Sequence, residues 1–274
     1  MNHYIIRSPG KEPGKADASM IQVTYRKKGI RITQVWYPKN LSSEKVKTDI
    51  VFYHGVDKED NGKNRVSSVF HTLITNLTVT EDELQSKINK NVRYEIRRNK
   101  KENAEYKTFS SEELKKDSET VDAFAKMYEL MYEEKGMKSV LNRIQISAYL
   151  DADAFFLTGI YADGKPVVFH SYIMGEKDVR LLHSVSDFRS SEADANFVAR
   201  ANKRLHFEDM LLWKNKGKER YDWGGVSSIE TPNGIDAFKF KFGGEPLTYY
   251  NVYEGVSMIG KLAVRILKKR KGKM

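Results

Sequence analysis

The stretch from Arg220 to Pro246 reads RYDWGGVSSIETPNGIDAFKFKFGGEP. Tyr221, Asp222 and Trp223 close a buried strand, and Gly224 and Gly225 then let the backbone turn sharply or approach a ligand closely. A loop leads to Gly234, after which Phe238 and Phe242 fall on one face of a short helix around Lys239. Lys239 and Lys241 lie beside these aromatic anchors, so one of them can be held at a defined place. In the plainer reading the phenylalanines are core and both lysines are solvated. Asp222, at the end of a central strand, is a candidate general base, because α/β sheets gather their ligands at strand ends.

The segments around this stretch predict its setting. After it, PLTYYNVY reads as a last strand, and before it a helix spans roughly 196–216 with a break near His206. Further upstream AFFLTGIY, PVVFHSYIM and VRLLHSVSD form a three-strand meander joined by ADGK and GEKD turns. NRIQISAYL reads as a short helix, and a longer one runs from Glu119 to Lys135, stopped by Gly136. Thr80 and Glu83 make a capping box for a helix in which Leu84, Ile88, Val92 and Ile96 recur every four residues. The first 75 residues read as a hairpin around Lys28-Gly29 and two more strands, DIVFYHGV and SVFHTLITNL. This order predicts an α/β protein with a mixed, largely antiparallel sheet flanked by helices. It divides into a β-rich half over 1–78, a transferase-like domain over 79–255 and a basic tail over 256–274.

Tyr221-Asp222-Trp223-Gly224-Gly225, then Gly234-Ile235 and Phe238-Lys239-x-x-Phe242-Gly243, resembles the C-terminal signature of FemABX-type peptidoglycan bridge-forming transferases and of the related BioF2-like acetyltransferase domain. TEDELQSKINKNVRYEIRRNKKEN is similar to a helix of that family with an Arg-aromatic-x-Ile-Arg element, and EEKGM sits where the family places a comparable turn. The resemblance covers about residues 78–250 and implies a GNAT-like fold with a shortened N-terminal half. It also implies transfer of an acyl or aminoacyl group to an amine. Lys239 matches the family lysine of the transfer step, where a cation stabilises an oxyanion or a donor phosphate. Arg93, Tyr94 and Arg97 match the region that holds an anionic acceptor. Tyr221 and Lys241, inside the signature, complete the substrate-binding set.

Composition narrows the chemistry. The chain of 274 residues is 40% hydrophobic and 31% charged, and its 15 Tyr and 13 Phe can build a core without a staple. It has no cysteine, which excludes disulfides, zinc-thiolate sites and thiol nucleophiles. Nor does any HExxH-like spacing appear, so no metal is expected. His183 and His170, on adjacent strands of the meander, and His206, near a helix start, are candidate proton acceptors, with His183 the one placed in the catalytic set. No GxSxG elbow surrounds the serines of HSVSDFRSSEADAN, which reads as a loop. The N-terminus lacks a signal-peptide core and no run approaches the ~20 apolar residues of a membrane span, so the expected compartment is the cytoplasm.

The formal charge is +10, and the seven cations after Glu254 supply most of it. In that tail Met258, Ile259, Leu262, Ala263, Ile266 and Leu267 share one helical face and basic residues the other. It reads either as an interfacial helix drawn to anionic lipid or as a last helix packed on the domain. Lys90, Arg93, Arg97 and Lys100 form a second basic stripe, suited to the phosphates of CoA, tRNA or a nucleotide-linked acceptor. The expected function is N-acyl transfer, with acyl-CoA as donor and a small-molecule or lipid-linked amine as acceptor, in cell-envelope or surface-polysaccharide assembly. The Arg/Gln-x-x-Gly-x-Gly/Ala pyrophosphate loop is absent from the sequence, which keeps two alternatives open. They are an aminoacyl-tRNA-dependent aminoacyltransferase and a non-catalytic module that holds RNA or a membrane surface.

Overall fold

Lys28 and Gly29 lie at φ 50° and 81°, the twist a two-residue turn needs to join β1 (Ile21–Lys27) to β2 (Ile30–Trp36) as an antiparallel hairpin. The computed structural model describes residues 20–43, 46–138, 140–187 and 194–271. β3 (Ile50–Val56) and β4 (Arg65–Asn76) follow, and the Thr80–Glu83 capping box starts α1 (Glu81–Lys87). The single helix expected over Leu84–Ile96 is two. Ile88 is extended (φ −77°, ψ 136°), and Asn89 restarts the chain as α2 (Lys90–Asn99) by accepting from the Asn91 amide. The four-residue spacing persists across the break because Leu84, Ile88, Val92 and Ile96 all enter one buried layer.

Two further elements have no counterpart in the sequence reading: β5 (Glu105–Ser110) and α3 (Ser111–Lys116), the latter opened by a Ser110–Glu113 capping box. α4 (Ser118–Glu133) is followed by Gly136 at φ 70°, and α5 (Arg143–Asp151) leads into the meander β6 (Phe155–Ala162), β7 (Lys165–Met174) and β8 (Asp178–Ser186). Most of the serine-rich loop that follows lies outside the described residues. α6 (Ala195–Asn215) runs unbroken through His206, contrary to the expected break, because that ring is buried against Trp223 and Phe242. β9 (Arg220–Val226) continues past Trp223 through both glycines. α7 (Gly234–Phe240), β10 (Glu245–Gly255) and α8 (Met258–Lys271) complete the order.

The strands form one ten-stranded sheet in the order β1-β2-β3-β10-β4-β9-β8-β7-β6-β5. Seven of its nine neighbouring pairs are antiparallel, and only β2–β3 and β8–β9 are parallel. β10 slots between β3 and β4, antiparallel to both.

Alternation along β6 separates the two faces, with Phe155 and Leu157 on one and Phe156 on the other. On the Phe156 face α1, α2 and α6 bury Leu84, Ile96 and Trp213 against Leu73, Tyr172, Trp223 and Phe242. On the other, Phe124 of α4 and Tyr149 of α5 pack with Phe155 and Phe169 and reach Tyr25 and Trp36 of the first hairpin. The sheet therefore curls enough for α5 to bridge β1 and β6. Phe124, Phe155 and Phe169 are fully buried and contribute ~1.5–3 kcal/mol each.

Candidate active site where two strands part

β8 and β9 pair at only three positions, Asp178–Arg220, Val179–Tyr221 and Arg180–Asp222. Past these the strands separate, although β8 runs on to Ser186 and β9 to Val226. Gly224 sits just past the point where the ladder ends. It lies at φ 69°, and a Cβ there would stand 2.6 Å from the Leu181 carbonyl oxygen, so only glycine fits. The β8–β9 ladder thus stops in the middle of the sheet and leaves a wedge between the two strand ends.

A buried ion pair pins the closed end of the wedge. Arg180 donates from Nε (2.8 Å) and lies 2.6 Å through Nη2 from the Asp222 carboxylate, and both side chains are almost fully buried. Asp222 also accepts from Thr72 Oγ1 (2.5 Å) and from the Gly224 amide (2.9 Å). Burial works against the Arg180 charge, but the Asp222 carboxylate outweighs it and holds the guanidinium above its usual range. The guanidinium also lies over the Phe70 ring, 4.8 Å from its centre, and near Trp36, Tyr37 and Tyr249. With its acceptor positions taken, Asp222 orients the strand ends.

Lys239 reaches the open side of the wedge. Asn233 and Asp236 form the capping box of α7, and the Asp236 carboxylate takes the Ser227 and Ser228 amides together with the Ser227 hydroxyl. Burial alone would raise the Asp236 pKa; these bonds outweigh it and lower it. Fixed this way, α7 directs Lys239 Nζ onto the Gly225 carbonyl at 2.7 Å. The amine is half-buried, and burial lowers its pKa against the opposing pull of Asp236 and Asp222.

Behind Lys239 runs a buried polar chain. Asp209 of α6 accepts from the Tyr172 hydroxyl (2.6 Å), the Tyr106 hydroxyl (3.0 Å) and Thr158 Oγ1 (3.0 Å), and bonds His170 Nδ1 at 2.7 Å. Tyr172 meets the Tyr221 hydroxyl at 2.9 Å, and that hydroxyl lies 3.4 Å from His206 Nδ1. Burial, with His170 and Lys239 beside it acting in the same direction, keeps His206 far below the usual histidine pKa and therefore neutral. Burial, reinforced by Asp209, raises both tyrosines well above theirs.

The residues singled out from the sequence divide between several places. Lys239, Asp222 and Tyr221 lie together at the wedge, Tyr221 as a fully buried link in the chain rather than as a surface contact. The Asn89 amide donates to the Lys241 carbonyl at 2.8 Å, which sets the start of α2, and with it Arg93, beside the end of α7. Arg93 is half-buried, and its Nε has no partner among the described residues. Tyr94 (60% exposed) and Arg97 point outward, and Lys241 is exposed. Tyr94 joins Arg98 and Arg200 in lining a cleft of about 540 Å³ between α2 and α6. His183 stands apart from Lys239, on the α4 face. It bonds Ser171 Oγ at 2.7 Å, packs on Phe124 and Tyr128, and is pushed by burial to a pKa of about 4. There it borders a second cavity of about 450 Å³ with Trp36, His54 and Tyr149.

Arg180, Thr72, Asp209 and Asp236 carry the geometry without having stood out in the sequence. Asp236 alone left a local trace, the Asn-x-x-Asp spacing of its capping box.

No protein-family model matches the sequence, and no curated protein matches it either. Solved structures do. FemX superposes with a TM-score of 0.55 at 14% identity over 73% of this chain, which spans 65% of FemX, just under two thirds of its length. L-PGS from Bacillus licheniformis superposes at 0.52 and 12% identity, over 94% of this chain and 88% of that one. The C-terminal domain of a protein from Agrobacterium fabrum described as a lysylphosphatidylglycerol synthetase gives 0.51 and 11%, over 79% and 71%. At such identities the likeness is one of fold alone: this chain shares its fold with FemX, with L-PGS and with that C-terminal domain.

Proposed function

We propose that this protein is an N-acyltransferase that uses the wedge between β8 and β9 to pass an acyl group from a thioester or ester to an amine. The observation that carries this reading is Lys239, held half-buried on the Gly225 carbonyl at the mouth of the wedge. In the reaction the amine attacks the acyl carbon, the new C–N bond forms, and the bond to sulfur or oxygen breaks. An ammonium has three N–H donors, and Gly225 takes one, which leaves Lys239 donors for the developing oxyanion. The proton lost by the amine goes to solvent, while His206, buried and neutral, holds the Tyr221, Tyr172 and Asp209 chain in place behind Lys239. Asp222 and Arg180 act by fixing the strand ends, and catalysis is mainly positioning plus charge stabilisation.

Acyl-CoA is the proposed donor, with Arg93 and Arg97 on the anionic partner and a small-molecule or lipid-linked amine of cell-envelope or surface-polysaccharide assembly as acceptor. One observation favours aminoacyl-tRNA as a second reading: Lys90, Arg93 and Arg97 make no ion pair among the described residues, so α2 offers a basic surface for several phosphates. Likeness of fold to FemX and to a lysylphosphatidylglycerol synthetase also suits an aminoacyl donor.

The test is thermal stability with CoA and a panel of acyl-CoAs, then transfer assays with the thioester that binds. A donor at 100 times its Kd stabilises by about 2.7 kcal/mol. Lys239→Ala should keep its melting temperature without ligand and lose ~10²–10³ in kcat, the scale of a lost oxyanion donor. If no thioester shifts the melt while charged tRNA binds with steep salt dependence, the second reading replaces the first. Full activity in Lys239→Ala overturns both.

A further inference from the structure

α8 packs on the protein with the side that the sequence makes least conspicuous. Gly260 lies so close to β3 that a Cβ would stand 1.7 Å from the Asp49 carbonyl oxygen, and Val264, one turn on, is 1% exposed. Ser257 Oγ donates to Asp49 Oδ1 at 2.6 Å ahead of the helix, Lys268 Nζ donates to the Asn61 carbonyl at 2.9 Å, and Lys271 Nζ reaches the Ser67 carbonyl. The helix is therefore docked along its length on β10, β4 and the loops that precede β3 and β4. Its bulky apolar residues face the other way, with Met258 82%, Ile259 62%, Leu262 60% and Ile266 46% exposed. At ~100° per residue these four share an arc about 100° wide, centred opposite Val264.

Cations flank that arc. Arg265, Lys269 and Arg270 project from the outward half of the helix, make no ion pair among the described residues, and belong to a segment with no acidic residue after Glu254. An exposed apolar stripe this contiguous on a charged protein marks an interaction surface. A protein partner would cover it with matched polar groups at defined places. A ridge of flexible apolar side chains edged only by cations instead complements an interface that is apolar inside and anionic at its rim. No helix among the described residues is long and apolar enough to cross a membrane, so this one would lie in the plane of the surface.

We infer that α8 is a docking helix for an anionic lipid bilayer. It inserts Met258, Ile259, Leu262 and Ile266 among the acyl chains while Arg265, Lys269 and Arg270 engage the lipid phosphates. The inference is independent of the acyl-transfer reading. It adds one relation to it: Ser67, which receives Lys271, and Thr72, which pairs with Gly225, lie five residues apart on β4, or ~17 Å. Docking through α8 brings that end of the sheet toward the bilayer.

The full chain is sedimented with vesicles of phosphatidylcholine and with vesicles in which about one third of the lipid is phosphatidylglycerol. It should bind the anionic vesicles at least ~10-fold more tightly than the neutral ones. Leu262→Ser with Ile266→Ser should cut that binding ~10-fold or more. Arg265→Gln, Lys269→Gln and Arg270→Gln together should abolish the preference for anionic lipid. These side chains are exposed, so each variant should melt with the parent, and a melt that drops marks a set to be replaced by its single substitutions. Absence of binding to anionic vesicles, or binding that neither set reduces, overturns the inference. So does a concentration-dependent dimer in sedimentation velocity that dissolves in Leu262→Ser with Ile266→Ser and ignores lipid, which would give the face to a second copy of the chain.

Discussion

The sheet contains two parallel strand pairs, and they end differently. β2 and β3 stay paired over five positions, from Ile32–Ile50 to Trp36–His54, and the Tyr37 amide extends the zipper by donating to the His54 carbonyl at 2.9 Å. β8 and β9 pair over three and then diverge. Each pair has a glycine in the left-handed region at its end, Gly55 at φ 73° and Gly224 at φ 69°. The difference is what each glycine faces: Gly55 meets the Tyr37 ring, a side chain, whereas Gly224 meets the Leu181 backbone. A ring packs the end of the first pair, whereas the second ends on a tight approach of two backbones. Arg180 connects them, because it leaves the open pair to lie over Trp36 and Tyr37 at the end of the closed one. One buried cation thus ties the strands that part to the strands that do not.

Removing the anion of that tie should have the largest effect. Asp222→Ala leaves the Arg180 charge buried and uncompensated and should destabilise by ~3–5 kcal/mol, read as a lower urea midpoint with unchanged slope. A cost under ~1 kcal/mol would mean that the two pairs are held independently.

Acid should act next. His54 at the end of the closed pair and His183 on the open one are both kept neutral by burial, His54 with the Arg180 charge as a second cause. Unfolding frees them to protonate, so stability is full above ~pH 6.5 and declines as the pH falls toward 4. With its pKa at about 4, His183 accounts for up to ~3 kcal/mol of that loss. His183→Gln should flatten the decline by that share, and an unchanged slope would show that the ring is solvated.

The smallest effects discriminate best between the two pairs. Gly224→Ala should cost about 2 kcal/mol or more, because left-handed strain and a backbone clash act together. Gly55→Ala should cost ~1 kcal/mol, because the Tyr37 ring can give way. Equal costs would erase the distinction between the pairs.

What the sequence reveals of this molecule is the part written in neighbouring residues. The Lys28-Gly29 turn, the Thr80–Glu83 cap and the meander are local signals, and all three are where the spacing puts them. So is the strand–loop–helix run that carries Asp222 and Lys239. The Asp209 chain could not be read, since its members come from β5, β6, β7, α6 and β9, and an aspartate within a helix looks like any solvated face. The split at Ile88 was hidden because both pieces keep the same apolar layer. In α8 the periodicity marks an amphipathic helix but not which side meets the protein. Bulky residues suggest a buried face, and here a glycine and a valine provide it.

The position of β10 bears on how the chain comes to be folded. β3 and β4 are complete by residue 76, yet the strand that pairs with both spans 245–255. At roughly 5–20 residues per second, a ribosome needs on the order of ten to thirty seconds to bridge that gap. During that interval two edges rich in β-branched and aromatic residues stand unpaired in the nascent chain. The first half of this protein should therefore remain a client of holding chaperones until the final strand emerges. Its slow folding step should be the late insertion of that strand, a contact of very high sequence separation.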